Sequence, residues 1–188
     1  LIMHPNVEIV GVTSRQEAGN SLSQVFPRLR GARVADELTF MHPDIDAVAS
    51  TGASVAFLAL PHGVASEFAK ALLGKGIRVI DLSADFRLRS AAAYEEFYGE
   101  AHPAPELLEK AVYGLPETYR DDIAAADLVA SPGCYPTSIL TPLLPLLRDR
   151  LVKPGSIVVS SLSGASGAGK KADTSLIFAE VNESLRAY

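Results

Sequence analysis

The sequence predicts an α/β fold, a doubly wound parallel sheet with helices on both faces. Three observations carry that expectation. Apolar runs of strand length alternate with helical stretches along most of the chain. The runs are apolar at consecutive positions, as strands covered on both faces require. Four of them stop at small or polar clusters: Thr13-Ser14-Arg15, Pro61-His62-Gly63, Ser83-Ala84-Asp85 and Ser131-Pro132-Gly133-Cys134. In an open parallel sheet ligands sit outside the carboxyl ends of the strands, so the four clusters are expected to line one crevice.

The elements follow in order. "VEIVGVTS" is β-rich and ends at polar residues, which predicts a first strand. "VAFLALPHG" is an apolar run closed by Pro-His-Gly, a second strand. "SEFAKALLGKG" places Phe68, Leu72 and Leu73 at helical spacing and ends on glycines. "IRVIDLSADF" and "DLVASPG" predict two further strands, "TSILTPLLPLLRDRL" an apolar helix, and "GSIVVSSLSG" another strand. Residues 89–117 are too irregular to assign and read as a surface loop with short helices. The division expected is 1–132 for a dinucleotide-type domain and 133–188 for the start of an α+β catalytic domain.

Composition bounds the function. The 188 residues suit one domain, or one and part of another. A hydrophobic content of 48% supports a real core, and 21% charge is ordinary for a soluble protein. A net charge of −5 opposes a nucleic-acid binder that works by neutralising phosphates. No run approaches the roughly 20 unbroken apolar residues of a membrane span. No basic stretch backed by an apolar one opens these residues, so no secretion signal is visible. The single cysteine cannot form an internal disulfide, which fits a reducing, cytoplasmic location. His4, His42 and His102 are scattered without metal-like partners, so no metal site is expected. "LIMHPN" reads as the last turn of a helix and "FAEVNESLRAY" has no closing punctuation, so a longer protein, truncated here at both ends, is expected.

Cys134 stands between Pro-Gly and Tyr-Pro where a strand run stops. Gly133 permits a tight strand-to-helix turn, and Pro136 suits a first helical turn because it needs no N–H donor. A thiol there faces the open amides of a helix N-terminus, a field that favours the thiolate and activates it for acyl transfer. Residue type alone leaves a buried structural thiol equally open.

A dinucleotide fold carries an acid at the end of its second strand for the ribose 2′-hydroxyl, whereas an arginine there accommodates the 2′-phosphate of NADP. "VEIVGVTSR" ends in Ser14 and Arg15 with no acid, which supports NADP; a solvated surface arginine is the plain alternative. The G-x-G-x-x-G turn that should precede this strand by one helix is expected before Leu1. "GASGAGKK", 164–171, follows an expected strand and nearly spells a P-loop, but Lys171 stands where a Ser or Thr would ligate Mg²⁺. A P-loop-like nucleotide-binding module is therefore the weaker reading, alongside a non-catalytic scaffold.

"SPGCYPT", "FLALPHGVA", "VIDLSADFRL", "AVYGLPE" and "SGASGAGKKA" together resemble, in order and spacing over nearly the whole chain, the N-acetyl-γ-glutamyl-phosphate reductases of arginine biosynthesis. The resemblance implies an NADPH-dependent reductase in which Cys134 attacks the acyl phosphate, phosphate leaves, and hydride reduces the thioester to the semialdehyde. It makes Ser163 and Gly164 substrate contacts and Ser166 and Gly167 cofactor contacts. Lys170 and Lys171 would attract the substrate phosphate or form a solvated pair. Tyr188 falls where the family contacts substrate. His62, with Pro61, is read as lining the cofactor site, with a hydrogen-bonded loop histidine equally open, because the family's catalytic histidine lies downstream of this chain. Arg87 would pair with a substrate carboxylate or form a structural bridge with Asp85 or another acid. A homo-oligomer, and an inactive fragment when the flanks are absent, are also implied. A related γ-glutamyl or aminoadipyl phosphate remains an open substrate.

Overall fold

The computed structural model describes residues 1–169 and 172–185. It divides into two compact units, Leu1–Thr137 and Ser138–Tyr188. Lys170, Lys171 and Tyr188 lie outside the described residues.

In the first unit β1 (Val12–Thr13) pairs in parallel with β2 (Phe40–Met41). A separate sheet holds β3 (Val55–Leu58), β4 (Arg78–Asp81), β5 (Val112–Tyr113) and β6 (Leu128–Ala130), in the order β3-β4-β6-β5 and parallel throughout. The expected α/β class is therefore observed. The first expected strand is reduced to two residues, because only Val12 and Thr13 find a ladder partner among the described residues.

Local chemistry explains the helices around the sheet. Ser21 and Gln24 close a capping box at α1 (Leu22–Val25), with the Ser21 hydroxyl accepting from Gln24 N–H. After α2 (Arg33–Glu37), Asp44 caps α3 (Ile45–Ser50) by accepting from Ala47 N–H at 2.8 Å. The predicted helix at 66–74 is α4 (Ala65–Gly74). Ala65 and Ala69, both fully buried, let its backbone approach the sheet, and Leu72 packs into the core with Leu58, Ile77 and Val79. Burying a side chain such as Leu72 contributes about 1.5–3 kcal/mol.

The irregular stretch after β4 proves more ordered than its pattern suggests. α5 (Ala91–Tyr98) starts where Ser90 accepts from Ala93 N–H and stops at Gly99, which takes a left-handed conformation at φ 77°. β5 follows on the far edge, and α6 (Pro116–Ala125), opened by Pro116, returns the chain to β6 between β5 and β4. Gly114 allows β5 to close on β6, since a Cβ there would lie 3.0 Å from the Val129 side chain and 3.1 Å from the Ala130 carbonyl oxygen. Arg78 ties the start of β4 to the end of α6 by donating to the carbonyls of Ala124 and Ala126. Such a guanidinium satisfies the last, otherwise orphaned carbonyls of a helix.

Coverage of the sheet is uneven. All of β6 is buried, while on β3 Val55 and Phe57 stay exposed and Leu58 faces the core. Burial of both faces, expected for every strand, thus holds at the centre and fails at the β3 edge.

The longest helix, α7 (Cys134–Arg148), holds the boundary between the two units and contains Pro142 and Pro145. The strand expected at 155–164 is not present. Residues 154–156 form a 3₁₀ turn, and residues 157–162 line one wall of a groove along α7 with Ser138, Ile139 and Leu143. A strand is defined by its ladder, and this apolar stretch has no ladder partner among the described residues. A short 3₁₀ turn at Thr174–Leu176 and α8 (Phe178–Val181) follow.

Candidate active site

Parallel ladders put the carboxyl ends of β3, β4 and β6 at one edge, and polar side chains knit the three ends together. The centre is Asp85, fully buried just beyond β4. Its Oδ1 accepts from Gly63 N–H at 2.9 Å and lies 2.8 Å from His62 Nδ1, while its Oδ2 accepts from Ser66 N–H at 3.1 Å. Val64, the residue before α4, offers that helix no side-chain cap. Asp85 thus supplies the acceptor that a capping aspartate would.

Asp85 is itself fixed from behind. Its N–H donates to Ser83 Oγ, which in turn donates to Asp81 Oδ2 at 2.7 Å. Asp81 has no exposed surface, and burial is the largest effect raising its pKa above the ordinary 3.8. His102 Nδ1 accepts from Ala104 N–H at 3.0 Å, so the proton of its neutral ring sits on Nε2, which donates to the Asp85 carbonyl at 2.9 Å.

An aromatic wall closes this side. The His62 ring centroid is 4.3 Å from that of Tyr98 and 5.4 Å from that of Tyr94. The Tyr94 hydroxyl is 3.2 Å from His62 Nε2. Burial and the neighbouring Asp85 and Glu100 push the Tyr94 phenol up to about 12, so it remains a donor at neutral pH.

On the β6 side, Arg87 donates from Nε to the Ser131 carbonyl at 2.8 Å and from Nη2 to the Leu82 carbonyl at 3.1 Å. Its Nη1 lies 3.4 Å from where a Gly133 Cβ would stand. The next residue, Cys134, is the first of the 15 in α7 and is exposed. Gly133 accepts from both the N–H and the hydroxyl of Thr137. The strand-to-helix turn expected at Gly133 is therefore present, and the expectation of a buried structural thiol is overturned, because the turn leaves the thiol in solvent.

Other expected site residues fall apart from this cluster. Ser14 N–H donates to the Met41 carbonyl and its hydroxyl accepts from Glu17 N–H, and Arg15 is exposed. No hydrogen bond or ion pair among the described residues joins them to the ends of β3, β4 or β6. The suggested bridge from Arg87 to Asp85 is absent, since Arg87 is directed to main-chain carbonyls. In the second unit Ser166 and Gly167 lie in a 3₁₀ turn, Ala165–Ala168, with Gly164 at its start and Ser163 just before it; Gly167 N–H donates to the Gly164 carbonyl at 2.9 Å. A Cβ at Gly167 would lie 2.6 Å from Ser163 Oγ. No strand leads directly into this turn among the described residues, so the context that a P-loop requires is missing.

Sequence reasoning gave no functional role to Asp81, Ser83 or Asp85, although Ser83 and Asp85 stood in a cluster expected to line the crevice, and it passed over Tyr94 and His102. The signal for the first three was the polar run "DLSAD" directly after an apolar strand.

Fold and site together define an α/β protein of the doubly wound, dinucleotide-binding type, with an exposed helix-terminal thiol at its ligand edge. Residues 1–126 match the family described as semialdehyde dehydrogenase, NAD binding domain, and residues 134–188 match the semialdehyde dehydrogenase dimerisation domain. The chain belongs to the semialdehyde dehydrogenase family. It is 56% identical over 188 residues to the N-acetyl-gamma-glutamyl-phosphate reductase of Akkermansia muciniphila, covering all of this chain and 54% of that protein. It is 50% identical over 190 residues to that of Desulfotalea psychrophila, covering 53% of it, and 48% identical over 188 residues to that of Nitrosococcus oceani, covering 54% of it. The chain thus spans about half the length of the curated relatives it matches. A crystal structure of aspartate semialdehyde dehydrogenase with NADP from Candida albicans has the same fold, with a TM-score of 0.52 at 15% identity over 77% of this chain and 40% of that one. No helix among the described residues is long and apolar enough to cross a membrane, and no group of three or more metal-ligating side chains occurs among them.

Proposed function

We propose that this chain is part of an NADPH-dependent reductase of an acyl phosphate, N-acetyl-γ-glutamyl phosphate, which it converts to the semialdehyde and inorganic phosphate. The observation that carries this reading is Cys134, exposed at the first position of a 15-residue helix on the carboxyl edge of a parallel sheet. The positive end of the helix dipole favours an anionic nucleophile and the anionic acyl phosphate it would meet.

Cys134 Sγ forms a bond to the acyl carbon as the carbon–oxygen bond to phosphate breaks, and phosphate leaves with that electron pair. NADPH, when bound, supplies the hydride that reduces the thioester carbonyl. After that reduction the C–S bond breaks, the aldehyde departs, and the sulfur is a thiolate again. Arg87, anchored to Ser131 and Leu82, holds the turn that carries the thiol and can present Nη1 to a substrate carboxylate. Ser163 and Gly164 would contact the substrate, as would Tyr188.

On the cofactor side Arg15, with Ser14, would meet the 2′-phosphate, and Pro61 and His62 would line the nicotinamide end; in the second unit the family resemblance makes Ser166 and Gly167 cofactor contacts. Residues 1–132 would form the NADP-binding domain and 133–188 the start of the catalytic domain. The match to a dimerisation domain supports a homo-oligomer, and the single cysteine supports a cytoplasmic location.

The test is the reverse reaction in the complete natural polypeptide that carries this sequence. NADPH should form from NADP⁺ only when N-acetylglutamate semialdehyde and phosphate are both present. NADPH formation independent of phosphate would reject the acyl-phosphate assignment. Faster turnover of the aminoadipate homologue would move the substrate to the related lysine-type phosphate.

A further inference from the structure

The thiol and the glycine-rich turn are absorbed by the proposed reaction, but the buried network behind the β3 end is not. Asp85 has no solvent exposure, yet three N–H groups of one short segment converge on its two oxygens: His62 Nδ1, Gly63 N and Ser66 N. A carboxylate oxygen only accepts, so the 2.8 Å contact places a proton on His62 Nδ1. The ring's other nitrogen then faces the Tyr94 hydroxyl at 3.2 Å, with Glu100 Oε1 at 3.8 Å. His102 meets Asp85 in the opposite sense, with Nε2 donating to its main-chain carbonyl. Every hydrogen-bonding group of Asp85 is thereby committed, and the residue has one position available to it.

We propose that Asp85 is the positioning residue of the Pro61–Gly63 turn: it caps α4 in place of a local side chain and presents His62 as the Nδ1–H tautomer with Nε2 turned to Tyr94. Free imidazole has no such fixed choice, because the proton location follows the hydrogen bond made by the other nitrogen. The turn therefore meets its ligand as a preset surface, and the ordering cost of the loop is not charged to binding. The consequence for cofactor affinity rests on the reductase reading above; the tautomer does not.

Two measurements on the complete polypeptide decide the matter. Nitrogen-15 NMR of labelled histidine should find the neutral His62 ring protonated on Nδ1 in the wild type, and shifted to Nε2 in Asp85→Ala. Asp85→Ala should raise the Kd for NADPH tenfold or more. A wild-type His62 protonated on Nε2 alone would overturn the proposal. So would a Kd change below tenfold. If Asp85→Ala does not fold, Asp85→Asn, which keeps the shape and loses one acceptor, is held to the same Kd criterion. A wild type that binds no NADPH would remove the cofactor reading, and the tautomer would still decide the role of Asp85.

Discussion

Arg87 Nε lies 2.8 Å from the carbonyl oxygen of Ser131, three residues before the thiol. The same guanidinium reaches the Leu82 carbonyl, so one side chain clips the end of β4 to the turn that opens α7. A lysine offers a point charge on a flexible stem and cannot bridge two carbonyls in a fixed fork. Arg87→Lys is expected to lower unfolding free energy by about 1.5–3 kcal/mol, the range for hydrogen bonds to charged groups, and to lower kcat as the cysteine turn loosens. Urea unfolding and steady-state kinetics check this. Unchanged stability with only a raised KM would mean that Arg87 serves the substrate alone.

Arg15 is exposed at the end of β1 and unattached to the Asp85 cluster. If it reads the 2′-phosphate, Arg15→Ala weakens NADPH by about 1.5–3 kcal/mol and leaves NADH nearly unchanged. Equilibrium titration with both cofactors distinguishes this from loop support, which would weaken the two equally.

Asp81 gives a pH dependence with a definite sign. Burial raises its pKa above 3.8, so the folded state holds the proton more tightly than the unfolded state does. That contribution is complete below the unfolded pKa and is lost as pH rises through the folded one. Asp46 beside Lys75 and Glu106 beside Lys70 act oppositely, since their lowered pKa values favour the fold as pH rises. These pairs are common to wild type and Asp81→Asn, so the difference between the two proteins isolates Asp81. Wild type should lose ground relative to Asp81→Asn as pH rises above the ordinary carboxyl value of 3.8, read from denaturant midpoints. A difference that stays constant or reverses would refute the burial argument.

Much of the fold was legible because the parallel strands β3, β4 and β6 and the helix α4 carry strong apolar patterns with clear stops. β5 was not, since two apolar residues, Val112 and Tyr113, hold no periodicity, and their place depends on contact with β6 across Gly114. α5 was missed although Ser90 and Gly99 marked its ends, because Ala91–Tyr98 has little apolar contrast between faces. The opposite error occurred at Ile157–Val159, where composition promised a strand that lacks a ladder. In the site, Cys134 and its turn could be read from local sequence. The Asp85 network could not, as its partners His62, Gly63, Ser66 and His102 lie 17 to 23 positions away in the sequence.

The most direct test of the central claim is to trap the acyl enzyme. The complete polypeptide would be mixed with N-acetyl-γ-glutamyl phosphate without NADPH, quenched in acid, and digested for mass spectrometry. The account predicts one equivalent of phosphate released and an N-acetylglutamyl thioester on the peptide carrying Cys134, with both lost in Cys134→Ser. Phosphate released with no acyl group on Cys134, or a Cys134→Ser enzyme that still forms the aldehyde at a tenth of the wild-type rate or more, would contradict it.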